Sequence, residues 1–226
     1  MNRLNNRLKT VFDLINDGAR VVDIGTDHAF LPIALIKSGK TKNVIACDIG
    51  EKPLENARKN LERSKVSSVE LRLCDGLCGV CQNEFDTLVI AGMGGEVISG
   101  ILQRCDYIKS DAYSLILQPM TAADHLRKFL TQNGFEIEKE IAVEDNSKLY
   151  TVILARFCGK ELNKPDVFYI HGKLTPKKPT DLLYLKKQQR ILQKCVNDLE
   201  GNDQMKETHL KNSKLLDELT RYIEVN

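Results

Sequence analysis

The chain has 226 residues, a formal net charge of +2 and seven cysteines. That length exceeds the roughly 100 to 150 residues of a typical domain and predicts one sizeable domain with a smaller appendage, while the near-neutral charge excludes a chain that is basic throughout, so any nucleic-acid surface must be local. No run reaches the ~18 apolar residues that span a bilayer, Met1 to Thr10 is polar without an export core, and an odd cysteine count in such a chain suits reduced thiols, so the protein is expected in the cytoplasm with no membrane partner.

Leu4, Leu8, Val11, Phe12 and Ile15 recur at helical spacing, and Asn16-Asp17-Gly18 supplies a stop. The outer positions of this helix, Arg3, Arg7 and Lys9, either are solvated or touch phosphate, and the sequence leaves both open. Val21 to Gly25 then reads as a buried strand that passes through the loop Thr26 to Phe30 into an apolar-periodic helix from Ile33. Strand, tight loop and helix in that order present backbone N–H groups to a ligand. Lys42 to Asp48 is a second strand closing on an acid, close to the ~20-residue spacing at which a nucleotide-binding α/β unit sets a carboxylate on ribose hydroxyls. A helix from Lys52 to Ser64 follows, then the alternating strand Val69 to Leu73, which runs into Asp75-Gly76.

Phe85 to Ala91 is the fourth strand, and the glycines of Gly92-Met93-Gly94-Gly95 permit close approach of backbone to a ligand. A helix containing Val97, Ile98, Ile101 and Leu102 leads to the strand Ser114 to Pro119, after which Thr121 is expected to cap a helix ended by Asn133-Gly134. Phe135 to Val143 and Leu149 to Phe157, with a polar turn between them, form a terminal hairpin. Strands alternating with helices predict a doubly wound, mostly parallel, seven-stranded Rossmann-like sheet with an antiparallel edge.

A polar connector from Gly159 to Thr180, holding Pro165, Pro176 and Pro179, sets the expected domains at 1–158 and 159–226. Beyond it Leu185, Leu192 and Leu199 repeat every seven residues with Gln188 and Cys195 between them, and Leu216, Leu219 and Ile223 continue after Glu200-Gly201-Asn202-Asp203. This predicts an antiparallel coiled-coil hairpin, and a seam that folds on itself predicts a monomer. The hairpin reads either as a packing or dimerisation module or as a phosphate-backbone contact, since Lys173, Lys177, Lys178, Lys186, Lys187, Arg190 and Lys194 face only Asp181 in the same span.

The first loop decides the class of ligand. Gly25 lacks the second and third glycines of a dinucleotide fingerprint, and no Gly-Lys-Ser/Thr of a P-loop follows. An acidic, glycine-poor loop suits a ligand with a positive charge and no phosphate, which S-adenosylmethionine offers. Gly25 would let the backbone approach the methionine moiety, Asp23 orient the loop or accept from the amino group, Asp48 bind the ribose, and Asp75-Gly76 frame the adenine. Each acid alone is as readily a cap or turn former, but three at successive strand ends point to that edge of the sheet. Cys74, Cys78 and Cys81 have the C-x3-C-x2-C spacing of an iron–sulfur motif. Following the third strand of an open sheet, they read as ordinary thiols, and no metal is expected.

Asp-Ile-Gly-Thr-Asp-His-Ala-Phe-Leu-Pro at 23–32, Ala-Cys-Asp-Ile at 46–49, Cys-Asp-Gly-Leu at 74–77, Ala-Gly-Met-Gly-Gly at 91–95 and Leu-Gln-Pro-Met at 117–120 together resemble the bacterial tRNA (adenine-22) N1-methyltransferase family. The resemblance spans the whole chain, its motifs the first ~120 residues. It implies methyl transfer from S-adenosylmethionine to N1 of an adenine in the D arm of tRNA. It also implies that Thr26, Ile49, Ala91 and Gly92 join Asp23, Gly25, Asp48, Asp75 and Gly76 around the cofactor, and that Asp27, His28, Met93 and Gly94 stand at the reacting centre. Phe30 stands where the family commonly carries Tyr, so it offers a stacking face without a hydroxyl. Lys186, Lys187 and Arg190 would meet the tRNA. Another acceptor for the same cofactor, or a non-catalytic tRNA-binding module, are the rival readings.

Overall fold

The computed structural model describes residues 4–226, so Arg3 lies outside the described residues. Helix α1 (Asn6–Leu14) starts where the Asn5 side chain accepts the Leu8 N–H at 2.9 Å. The central sheet is built from β1 (Val21–Ile24), β2 (Val44–Asp48), β3 (Val69–Leu73), β4 (Thr87–Met93), β5 (Ser114–Pro119), β6 (Phe135–Asp145) and β7 (Lys148–Phe157). Their spatial order is β3-β2-β1-β4-β5-β7-β6. The first five run parallel, with Val21 opposite both Val44 and Thr87, and β7 pairs antiparallel with β5 and β6. Strand order reverses between β1 and β4. Crossovers there leave in opposite directions and open a crevice at the carboxyl ends.

Helices cover both faces, which is why β1 and β2 are buried at every position and read as continuous apolar runs. Along β4 the side chains alternate between two cores: Leu88 and Ile90 pack with Ile98 and Leu102 of α4 (Gly95–Gln103) and with Leu126 and Leu130 of α5 (Ala123–Gln132), whereas Val89 packs with Val11 of α1 and with Leu31 and Leu35 of α2 (Phe30–Lys37). Helix α3 (Glu51–Ser64) sets Ala57 and Leu61 against Ala29, on the side of α2. The predicted α/β order is therefore the observed one, with differences at element ends and one helix added within the connector.

Thr121 does not cap α5: the residue before that helix is Ala122, at φ +50° with no side-chain cap, and the Thr121 carbonyl instead accepts the Gly95 N–H at 2.9 Å. The terminal hairpin turns tightly at Asn146 and Ser147, with φ of +48° and +60°, and the ladder runs on to Asp145 and Lys148, past the point where apolar alternation stops. Within the connector, Asp166–His171 forms a short helix, α6.

Helices α7 (Pro179–Leu199) and α8 (Lys206–Val225) fold back on each other, and Gln189 Nε2 donates to Thr220 Oγ1 across the seam at 2.8 Å. Leu185, Leu192 and Leu219 are buried as the heptads predict, but the next buried residue of α8 is Leu215, with Leu216 only half-buried. Towards the turn Cys195 is exposed, so the apolar seam is confined to the end that packs on Ala142 and Leu149.

That end is joined to the sheet by buried charge. Arg127 of α5 and Glu140 of β6, with side chains 1% and 0% exposed, meet at 2.7 Å. Arg127 also donates to the carbonyls of Tyr169 and Ile170, while Glu140 accepts from Thr151 Oγ1 and the Lys173 N–H. Gly172 at φ +60° lets this happen, because a Cβ there would stand 1.9 Å from the Glu140 carboxylate.

Candidate active site

The crevice at the β1/β4 crossing is a cleft of about 780 Å³. It gathers Gly25, Asp27, Asp48, Ile49, Asp75, Gly76, Ala91, Gly92 and Met93 from four separate strand ends. Gly25 carries φ +75°, a left-handed conformation that favours glycine, and the Met93 side chain packs over it, its Cε 2.2 Å from where a Cβ would stand. Its N–H and that of Thr26 both donate to the Cys47 carbonyl, at 2.9 and 3.0 Å, which pins the β1 loop to β2. Asp27 and Ala29 hold left-handed φ of +48° and +53° within that loop.

Asp48 is 9% exposed and holds the two loops together: Oδ2 accepts the Asp27 N–H at 3.2 Å and Oδ1 the Gly50 N–H at 3.0 Å. Ile49 and Val97, 72% and 55% exposed, both line this cleft and give it apolar surface suited to the face of a flat ring. Asp75 is paired bidentately with Arg104, both bonds at 2.9 Å, a partner with no local sequence signal.

Other predicted residues lie around the cleft rather than in its wall. Asp23 and Thr26 are buried, 5% and 8% exposed. Burial pushes the Asp23 carboxyl up from 3.8 to about 6; the Thr26 side chain opposes this and the neighbouring Asp48 adds to it. Gly94 precedes α4 as its N-cap. His28 stacks on Phe30 with ring centroids 5.2 Å apart, and its Nε2 stands 3.5 Å from Asp27 Oδ2. The His28 carbonyl accepts from Asn60 Nδ2 at 3.0 Å, which ties the loop to α3. Phe30 lines a separate cavity with Ile33, Lys37, Asn60 and Arg63.

Arg7 is neither solvated nor free for phosphate. It donates to Asp145 at 3.1 Å and to Gln118 Oε1 at 2.7 Å, and the same Gln118 oxygen accepts the Gly92 N–H at 3.1 Å. Gln118 is fully buried, so this chain of bonds sets the backbone at the end of β4 from a helix at the far end of the sequence. Of the predicted tRNA contacts, Lys186 and Arg190 are exposed on α7, whereas Lys187 Nζ donates to the Leu149 carbonyl at 3.1 Å. Cys74 borders the cleft while Cys78 and Cys81 are exposed, and no group of three or more potential ligands gathers as a metal site among the described residues.

A reversed-order parallel sheet with an antiparallel terminal hairpin and a cleft of this lining is the fold of a class I methyltransferase, and a methyltransferase-domain family model matches residues 4–153. The chain is 31% identical over 217 residues to the tRNA (adenine(22)-N(1))-methyltransferase of Bacillus subtilis, a match covering 94% of this chain and 91% of the relative. The crystal structure of B. subtilis TrmK, the M1A22 tRNA methyltransferase, aligns with a TM-score of 0.88 at 28% identity, over 99% of this chain and 100% of that one. M. capricolum TrmK, solved in complex with S-adenosyl-homocysteine, aligns at 0.81 with 28% identity and 98% of each chain. The chain belongs to the tRNA (adenine(22)-N(1))-methyltransferase family, TrmK.

Proposed function

We propose that this protein transfers the methyl group of S-adenosylmethionine to N1 of adenine 22 in the D arm of tRNA. The observation that carries the reading is the cleft at the β1/β4 crossing, whose donors and acceptors suit that cofactor. Asp48, already oriented by two backbone N–H groups, keeps lone pairs for ribose hydroxyls. Ile49 and Val97 take the faces of an adenine ring, with Asp75-Gly76 at its edge and Ala91-Gly92 on the floor. Gly25 leaves room for the methionine moiety, and the buried carboxyl of Asp23, beside Thr26, steadies the loop. The cofactor, when bound, supplies an electrophilic methyl group on a sulfonium.

N1 of adenine has a lone pair and no proton, so attack needs no strong base, and positioning dominates. The base must leave its stack to present that edge. Met93 and Gly94 border its path, Phe30 offers a stacking face, and the exposed Asp27 carboxylate stabilises the positive charge that grows on the ring. His28, beside Asp27 and stacked on Phe30, holds these two in register. Residues 159–226 form the tRNA-contacting part, with Lys186 and Arg190 turned to phosphate and Lys187 anchoring α7 to the sheet. The protein acts as a cytoplasmic monomer, a reading supported by an apolar seam taken up within the hairpin itself.

The test is transfer from labelled S-adenosylmethionine to unmodified tRNA transcripts, followed by nucleoside analysis. 1-Methyladenosine should appear and vanish when adenine 22 is replaced. Cofactor binding with no labelled tRNA would overturn the acceptor.

A further inference from the structure

Beside the cofactor cleft lies a second pocket of about 260 Å³, between the loop after β5, the start of β7 and α7. The two are joined by backbone: the Met120 N–H, in the wall of the pocket, donates to the Met93 carbonyl at 2.8 Å. Its volume falls below the ~300–1,000 Å³ of sites for drug-sized ligands, which limits it to a single ring system. Met120 and Ile191, 36% and 47% exposed, supply apolar walls, and the half-buried Tyr150 supplies an aromatic one.

Four polar side chains at this pocket, Thr121, Asp124, Gln188 and Tyr150, make no side-chain hydrogen bond among the described residues. Together they offer both donors and acceptors. Phosphate is a poor occupant, because Asp124 would repel it and both cations at hand are engaged, Lys187 with the Leu149 carbonyl and Arg127 with Glu140. A plain hydrocarbon would bury Gln188 without a partner. A neutral heteroaromatic ring with a hydrogen-bonding edge satisfies both walls and edge. Outside the pocket, Lys186 and Arg190 stand exposed on the same helix, where a phosphate backbone would pass.

We infer that this pocket receives the base of a nucleotide next to the target adenine, splayed from its stack and held between Tyr150, Met120 and α7. The inference rests on the tRNA reading above and deepens it: the RNA is gripped as an opened single strand, by two bases rather than one. The hairpin thereby becomes one wall of the substrate site.

The test compares wild type with Gln188→Ala and Ile191→Ala, both at surface positions of α7, on intact tRNA and on tRNA made abasic at either neighbour of the target. On intact tRNA each variant should raise KM for tRNA by about tenfold, the scale of one base contact, with S-adenosylmethionine affinity unchanged by calorimetry. On RNA abasic at the correct neighbour, wild type should show the same loss and the variants no further one. Variants that match wild type on intact tRNA, or losses that multiply with each abasic site, overturn the pocket while leaving the methyltransferase reading intact. A wild-type protein that methylates no tRNA removes both.

Discussion

Asp23 is a carboxyl 5% exposed to water, next to a second carboxylate at Asp48, and this places a pH-dependent cost inside the cofactor site. Its value rises from 3.8 to about 6 in the folded protein, so between those two pH values the native state holds a proton that the unfolded chain has released. Stability from this group is therefore greatest below about pH 4, falls as pH rises to about 6 and stays low above it. Asp23→Asn should stabilise the ligand-free protein at pH 7.5 by an order of 2–3 kcal/mol and leave it unchanged near pH 4, measured by urea unfolding at both pH values. An equal effect at both would show that ionisation is not the cause. Asp48 predicts differently, since its bonds to Asp27 and Gly50 orient it toward the cleft. Asp48→Ala should weaken S-adenosylmethionine binding by about 10- to 100-fold in calorimetry, the worth of charge-assisted hydrogen bonds, with tRNA affinity nearly unchanged. Equal loss of both ligands would contradict the ribose role.

Among the elements, neighbouring segments are held together by glycines for steric reasons and by buried polar side chains. Gly95 shows the first: a Cβ there would sit 2.1 Å from the Ala122 carbonyl, so the loops after β4 and β5 approach only over a glycine. Arg127 shows the second, tying α5 to β6 and α6 through a fully desolvated pair with Glu140. Removing one member of such a pair leaves a buried charge alone, at a cost of ~3–5 kcal/mol. Glu140→Ala should therefore lower Tm sharply, and Arg127→Met combined with Glu140→Leu should recover much of the loss. A single variant as stable as wild type would mean that water reaches Arg127 in solution.

Across the molecule as a whole, a net charge of +2 hides a local basic surface on the hairpin. Lys186 and Arg190 are exposed on α7, beyond the wall that Lys187 anchors. Reversing both to Glu should weaken tRNA binding and flatten the dependence of log Kd on log salt by about 0.7–0.9 for each phosphate that is no longer neutralised, with cofactor affinity unchanged. A salt slope identical to wild type would move the RNA path off this helix.

The order of strands and helices, the doubly wound parallel sheet and the cluster of Gly25, Asp48, Asp75 and Gly92 at one edge were all legible in the amino-acid sequence. Periodicity encodes which face of each element is apolar, and a parallel sheet brings all its carboxyl ends together once the elements are known. The polar partners emerged only on folding: Arg7 with Gln118 and Asp145, 111 and 138 residues away, Arg104 with Asp75, and Arg127 with Glu140. So did the service of Thr121 to Gly95 rather than to α5, and the closure of a pocket beside Met93 by α7. Such pairings carry no local pattern, because the partners are separated in the chain and only the fold brings them within hydrogen-bonding reach.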